Sequence, residues 1–273
     1  MANSPTPTDS GASLGSNRHI ALLIDADNVS HTKIAAILAE IARYGTANIR
    51  RAYGDWSASA LKGWTAKLHE FAVRPIQQFS YSSGKNATDI ALVIDALELL
   101  YTQHLDAFCI ASSDGDFTPL VMHLRAAGKA VYGFGKANTP AAFVNACTTF
   151  LYLERLGESD DPAAAEPAAS KPARGVRAPA AARPGKVLAQ DAKLVTQLRG
   201  AVDAAAGEDG WAELSAAGST AKRLAPIDPR NYGVASFTRL FEATGLFEMV
   251  RDKNGRSWIA DRRNKDRAGK PGG

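Results

Sequence analysis

The sequence predicts an α/β chain: a mainly parallel sheet with helices on both faces, then a flexible linker and a small winged-helix (α+β) unit. Three observations predict it. Between 18 and 157, short apolar runs alternate with amphipathic helical patterns, which implies parallel strands joined by covering helices. From 158 to 188 the chain is mostly Ala and Pro with scattered charge, and it cannot bury a core. The segment 189–262 then carries three helical patterns and one hairpin signal.

Taken in order, HIALLID (19–25) is a continuous apolar run and reads as a buried strand. Ser30 can cap a helix whose Ile34, Ile37, Leu38 and Ile41 recur at helical spacing. IRRAYG (49–54), AVRPIQQF (72–79), DAFCIAS (106–112) and KAVYGFG (129–135) are further strands, with helices expected near 58–70, 87–103, 117–127 and 139–146. In the last unit a helix is expected near 190–206, a second after Trp211, and a third carrying Val234, Phe237, Leu240 and Phe241. LFEMV (246–250) and RSWIA (256–260) flank Asn254-Gly255, a strong hairpin turn. Trp211, Tyr232, Phe237 and Phe241 fall on helix-face spacing and read as core. Residues 1–17 and 263–273 read as disordered ends.

Composition narrows the classes. A chain of 273 residues with 45% apolar and 22% charged residues is an ordinary globular protein of about two domains. The polar start lacks a secretory pattern, and no apolar run approaches the roughly 20 residues a membrane span needs. The only cysteines, Cys109 and Cys147, suit a reducing compartment and exclude a disulfide scaffold or a Cys-rich zinc module, so a cytoplasmic location is expected. The net charge of +4 is uneven. Residues 1–157 hold 13 Lys/Arg against 13 Asp/Glu, whereas 158–273 hold 19 against 15, with RRNKDRAGK (262–270) the densest run. A basic second half can attract polyphosphates by counterion release, or serve only as a solvated tail.

The acidic residues at strand ends carry the chemistry. Open α/β sheets take ligands beyond the carboxyl ends of their strands. ALLI runs into Asp25-Ala26-Asp27-Asn28, and FCIA runs into Ser112-Ser113-Asp114-Gly115-Asp116. Asp89 opens the 87–103 helix just after Lys85-Asn86 and can reach the same rim. Two like charges about 4 Å apart repel by roughly 4 kcal/mol at an effective dielectric near 20, so several carboxylates on one rim call for protons or a cation. Hard oxygen donors without clustered His or Cys favour Mg²⁺ or Mn²⁺ over zinc. Such an ion can activate water and offset charge on a phosphodiester. The plainer alternative is that Asp27, Asn28 and Asp116 start helices, since Asp and Asn are good caps. Asp95 shares a helical stripe with Ala91, Glu98 and Thr102 and reads as structural.

IDADN (24–28), KNATDIALVIDAL (85–97) and ASSDGDFTPLVMHLRAAGKAVYGFG (111–135) resemble the NYN domain of the LabA-like family, a PIN-like nuclease fold. The resemblance covers roughly 19–156. It implies a metal-dependent ribonuclease with Asp25, Asp89, Asp114 and Asp116 as catalytic metal ligands. Asn28 and Lys85 would serve the phosphate, and Ser112 and Ser113 would line the substrate site, with Ser113 standing where many members have glycine. Asp27 and Asp95 are supporting candidates, Asp95 because it fits a recurring family aspartate. The segment 209–250, with its Gly-Trp start and Asp228-Pro229-Arg230-Asn231-Tyr232-Gly233 turn, is similar to the LOTUS, or OST-HTH, domain. That implies RNA or protein-partner binding, with Lys222, Arg223, Arg230 and Arg239 as phosphate contacts.

The expectation is therefore an Mg²⁺- or Mn²⁺-dependent endoribonuclease whose winged helix concentrates RNA near a sequence-tolerant site. Three rivals stand beside it. One is a non-catalytic RNA-binding or regulatory adaptor with a vestigial acidic pocket. Another is a phosphohydrolase of the haloacid dehalogenase class, with Asp25 as nucleophile. The last is an adaptor that docks a protein through the winged helix.

Overall fold

The computed structural model describes residues 18–79, 86–156 and 188–264, together with 269 and 271. Lys85, the segment 1–17, the Ala/Pro-rich stretch through 187 and most of the basic tail lie outside the described residues. Two compact units are present, Met1–Phe134 and Gly135–Gly273.

The apolar run of the first motif forms β1 (His19–Asp25), buried from Ile20 onward. Ser30 caps the next turn as its side chain predicts: the hydroxyl accepts from the Thr32 N–H, and α1 (Ile34–Ile41) follows. Next come β2 (Thr46–Gly54), α2 (Trp64–Glu70), β3 (Arg74–Gln77) and the long α3 (Ala87–Thr102). After them stand β4 (Ala107–Ala111), α4 (Thr118–Ala126) and β5 (Ala130–Gly135). Beyond β5 lie α5 (Ala141–Ala146) and β6 (Thr149–Tyr152), a strand the sequence reading did not include.

The strands form one six-stranded sheet in the order β3-β2-β1-β4-β5-β6. β1 pairs in parallel with both β2 and β4, and β2–β3 and β4–β5 are parallel too. Chain order runs outward from β1 in one direction and then restarts at β4 in the other. The crevice at that reversal, between the carboxyl ends of β1 and β4, is where a doubly wound sheet takes its ligand. The register sets Ile24 beside Ala111, so Asp25 and Ser112 arrive there together.

Asp95 has a structural task. Its carboxylate accepts from the Arg51 guanidinium and from the Tyr53 hydroxyl, tying α3 to β2. Burial, and then this carboxylate, push the Tyr53 phenol well above its usual value. Asp95, a supporting candidate by resemblance, is thus engaged in the ion pair with Arg51.

The second unit contains α6 (Ala192–Ala205), β7 (Ala212–Glu213), α7 (Leu214–Leu224) and α8 (Phe237–Thr244), closed by β8 (Phe247–Arg251) and β9 (Ser257–Asp261). The three short strands pair antiparallel in the order β7-β9-β8. Three helices and a hairpin make the expected winged helix. Asp191 and Ser236 cap α6 and α8 by accepting backbone N–H bonds. Gly255 turns the hairpin at φ 81°, a left-handed value that disfavours any side chain. Leu198, Trp211, Phe241 and Ile259 are buried in its centre. In the same unit the Asn231 side-chain amide donates to the Phe150 carbonyl (2.7 Å) and accepts from the Tyr152 N–H (3.1 Å). Those two groups on β6 are the pair that one residue of a parallel strand would engage. Among the described residues, no helix is long and apolar enough to cross a membrane.

Candidate active site

Asp25 closes β1 and is only 1% exposed. A carboxylate there needs donors, and three converge on it. The Ser112 hydroxyl donates to Oδ2 (2.7 Å), the Asn28 amide donates to the same oxygen (2.6 Å), and the Asn28 N–H reaches Oδ1 (3.3 Å). Ser112 is fully buried and also accepts from the Asp114 N–H (3.0 Å). One hydroxyl thus clamps the ends of β1 and β4 together. Ser112, expected to line the substrate site, here positions Asp25. Asn28 spends its amide in the same way, and the cap of the following turn is Ser30.

Asp114 caps the short 3-10 turn Gly115–Phe117, its Oδ1 accepting from the Asp116 N–H (2.8 Å). Asp116 is exposed and accepts from the Asn86 amide (3.3 Å) at the foot of α3. Ser113, partly exposed, stands between Ser112 and Asp114 on this loop. Asp89, in the first turn of α3, completes the rim. Burial pushes its carboxyl up to about 6, and the charges of Asp25, Asp114, Asp27 and Asp116 push in the same direction. Asp27 is raised as well, by burial and by Asp25, with a hydrogen bond from Thr88 opposing and Asp55 adding to the rise. Thr88 and Asp55 escaped the sequence reading. Asp55 directly follows β2, so the strand-end rule that singled out Asp25 and Asp114 would have found it.

Among the described residues no group of three His, Cys, Asp or Glu side chains is arranged to hold one metal ion. The rim aspartates share a field; both oxygens of Asp25 accept hydrogen bonds from Ser112 and Asn28, while Asp114 and Asp116 accept from the Asp116 N–H and the Asn86 amide.

The winged helix offers a second surface. Lys222 and Arg223 are exposed on the last turn of α7, and Arg239 is exposed on α8. Arg223 also reaches Thr220 (2.8 Å), and Arg239 faces Glu242 at 3.7 Å. Arg230 differs: its guanidinium grips both oxygens of the buried Asp228 (2.8 and 2.6 Å). Expected as a phosphate contact, it here holds the turn before α8 through Asp228. A cleft of about 530 Å³ opens between α7, the start of α8 and the hairpin, lined among others by Ser215, Lys222, Phe237, Thr238 and Arg256. The Lys222 ammonium sits 5.8 Å over the Phe237 ring. Arg256 was read only as the start of the strand RSWIA, because nothing local shows that the hairpin folds back beside α7.

Residues 19–154 match the family model of the NYN domain, and residues 187–259 match that of the OST-HTH/LOTUS domain. The chain carries an NYN domain followed by a LOTUS domain. A crystal structure of a protein of unknown function from Vibrio parahaemolyticus is similar to it, at 18% identity over 50% of this chain and 93% of that one, with a TM-score of 0.42. No curated protein matches.

The two domains support membership of an RNA-acting nuclease family, and NYN nucleases generally use divalent metals. The NYN rim here fits such an ion by its donor set: carboxylate oxygens only, with Asp89 held up by burial and by four anionic neighbours. A consequence is testable without turnover. Below about pH 4 Asp89 is neutral folded or unfolded, and the rim costs nothing through it. Between there and about 6 the unfolded chain releases this proton while the folded one keeps it, so stability falls as pH rises through that window and stays lower above it. Asp89→Asn is therefore expected to stabilise the metal-free protein at pH 7 by about 1 kcal/mol after solvent screening, and not at pH 4. Thermal melts at the two pH values check it. Added Mn²⁺ should raise the wild-type Tm at pH 7 more than that of the variant. Equal melting of both proteins at both pH values would contradict the shared field.

Proposed function

We propose that this protein is an Mg²⁺- or Mn²⁺-dependent endoribonuclease, in which the NYN domain hydrolyses RNA phosphodiesters and the LOTUS domain holds the RNA. The observation that supports it is the placement of Asp25 and Asp114 at the carboxyl ends of β1 and β4 with Asp89 at the start of α3, where burial first, and then the charges of Asp25, Asp114, Asp27 and Asp116, lift Asp89 to about 6. These four would hold the metal, which when bound polarises the phosphodiester and supplies a nucleophile from water at neutral pH. Ser112 and Asn28 keep Asp25 aimed at the rim, and the Asp114 loop is braced by the same Ser112 hydroxyl. Lys222 and Arg256, beside the Phe237 ring, suit an RNA backbone, and tethering them to the NYN domain raises the local RNA concentration. The proposal includes domain limits of 18–157 and 189–262 and a cytoplasmic location, for which the buried thiols of Cys109 and Cys147 are suited.

The full bonding of Asp25 favours one second reading, an RNA-binding adaptor with a vestigial pocket. Circular single-stranded RNA separates the two. Incubated with Mn²⁺, Mg²⁺ or a chelator, it should be linearised only with metal. Retention of RNA with no cutting in either metal would leave the adaptor.

A further inference from the structure

Helix α3 is apolar on both of its sides. Leu92, Ala96, Leu99 and Leu100 are buried, whereas Ile90, Ile94 and Tyr101 are 59, 61 and 74% exposed, with Leu97 half-buried among them. A helix that is apolar all round is ordinarily covered all round. The outward positions 90, 94, 97 and 101 are spaced 4, 3 and 4, which is the seam by which one helix packs along another. Phe79, just after β3, and Met122 on α4 are also more than half exposed. Tyr101 joins α3 to α4 through a hydrogen bond with His123 (3.0 Å). Of the six large apolar side chains exposed among the described residues, five belong to this neighbourhood, which is clustering beyond ordinary surface scatter.

We propose that this face is covered by the same face of a second copy, α3 against α3, antiparallel about a two-fold axis. Shape is the first argument. A groove of about 400 Å³ runs beside Ile90 and Ile94, its wall completed by Ala87 and Ala91 and by the polar Gln78, Asp95 and Glu98. The most exposed knob, Tyr101, stands at the other end of the same helix. An axis passing between positions 95 and 96 sets Tyr101 of each copy against Ile90 of the other, and Leu97 against Ile94. Knob and groove are thereby satisfied twice, as an isologous interface requires.

Charge is the second argument. In that register the acidic residues of α3, Asp89, Asp95 and Glu98, fall opposite Thr102, Ala96 and Val93 of the copy, so no like charges meet. Asp95 is already balanced by Arg51. The third argument is size. The 16 residues of α3 span roughly 24 Å, so the about 800 Å² per partner of a stable dimer is reached only if the contact extends from the seam onto flanking exposed residues such as Phe79 and Met122. Aromatic, aliphatic and Met side chains are what such centres contain. Association is independent of the nuclease reading.

Sedimentation of the full-length protein tests it. The wild type should be a dimer at about 50 µM, and Ile94→Glu should weaken association at least about tenfold by burying a carboxylate in the seam. Circular dichroism and melting should stay unchanged in that variant, because Ile94 is an exposed site. The double variant Ile94→Cys, Leu97→Cys should cross-link between copies on oxidation, since Cys109 and Cys147 are buried. A wild type that remains monomeric at about 100 µM overturns the proposal and leaves the face to a different protein. So does a dimer that Ile94→Glu does not disturb.

Discussion

Asp25→Asn should abolish metal-dependent RNA cleavage, with a rate loss of about a thousandfold, the order expected when a charge that stabilises a phosphodiester transition state by several kcal/mol is removed. The substitution keeps the shape of the side chain and removes only its charge. Asn still offers one acceptor to Ser112 or Asn28, and the loss of the anion relieves Asp89 and Asp27, so the fold should survive with a Tm within a few degrees of wild type. The assay is end-labelled single-stranded RNA with Mn²⁺ or chelator, with wild type and variant purified side by side. Equal cleavage by both proteins would assign the activity to a contaminant and leave this rim without a hydrolytic role. Ser112→Ala should fall between them, because the clamp between β1 and β4 is lost while the charge remains.

The second large effect concerns the LOTUS domain. Trp211 is 1% exposed and is among the largest fully buried side chains of the protein. Trp211→Ala should cost about 3–5 kcal/mol, most of what a domain of this size has to spare. At 37 °C the LOTUS domain should then be largely unfolded. If it serves to hold RNA, KM should rise while kcat at saturating RNA stays within a few-fold, since the acidic rim lies elsewhere in the chain. Near-UV circular dichroism follows the melting and steady-state cleavage follows the split. A melted LOTUS domain with an unchanged KM would remove it from RNA capture and favour a protein-docking role.

Much of the fold was legible because the interior strands announce themselves. β1 and β4 lie between neighbours on both sides, and their sequences are continuous apolar runs as burial demands. β6 was missed. Four residues at the edge of a sheet carry too little pattern, and the strand exists through partners that are distant in sequence. β2 begins at Thr46, earlier than expected, because Thr46 and Ala47 pair with His19 and Ile20 whatever their own polarity. β3 is shorter than expected because Ala72 takes a positive φ (49°), which closes the turn out of α2 before the strand can start.

The site divides in the same way. The sequence by itself determined which residues have the chemistry: aspartates at the ends of apolar strands, one more at a helix start, a cap at Ser30, and a glycine where the hairpin must turn. The tertiary structure alone decided what each of them does. Ser112 became the clamp on Asp25 across 87 positions of chain, Asp95 the partner of Arg51, and Arg230 the partner of Asp228. Periodicity and turn chemistry act over a few residues and can be read along the chain. Burial, field and hydrogen-bond pairing depend on which strands become neighbours, and that is settled only when the whole sheet has assembled.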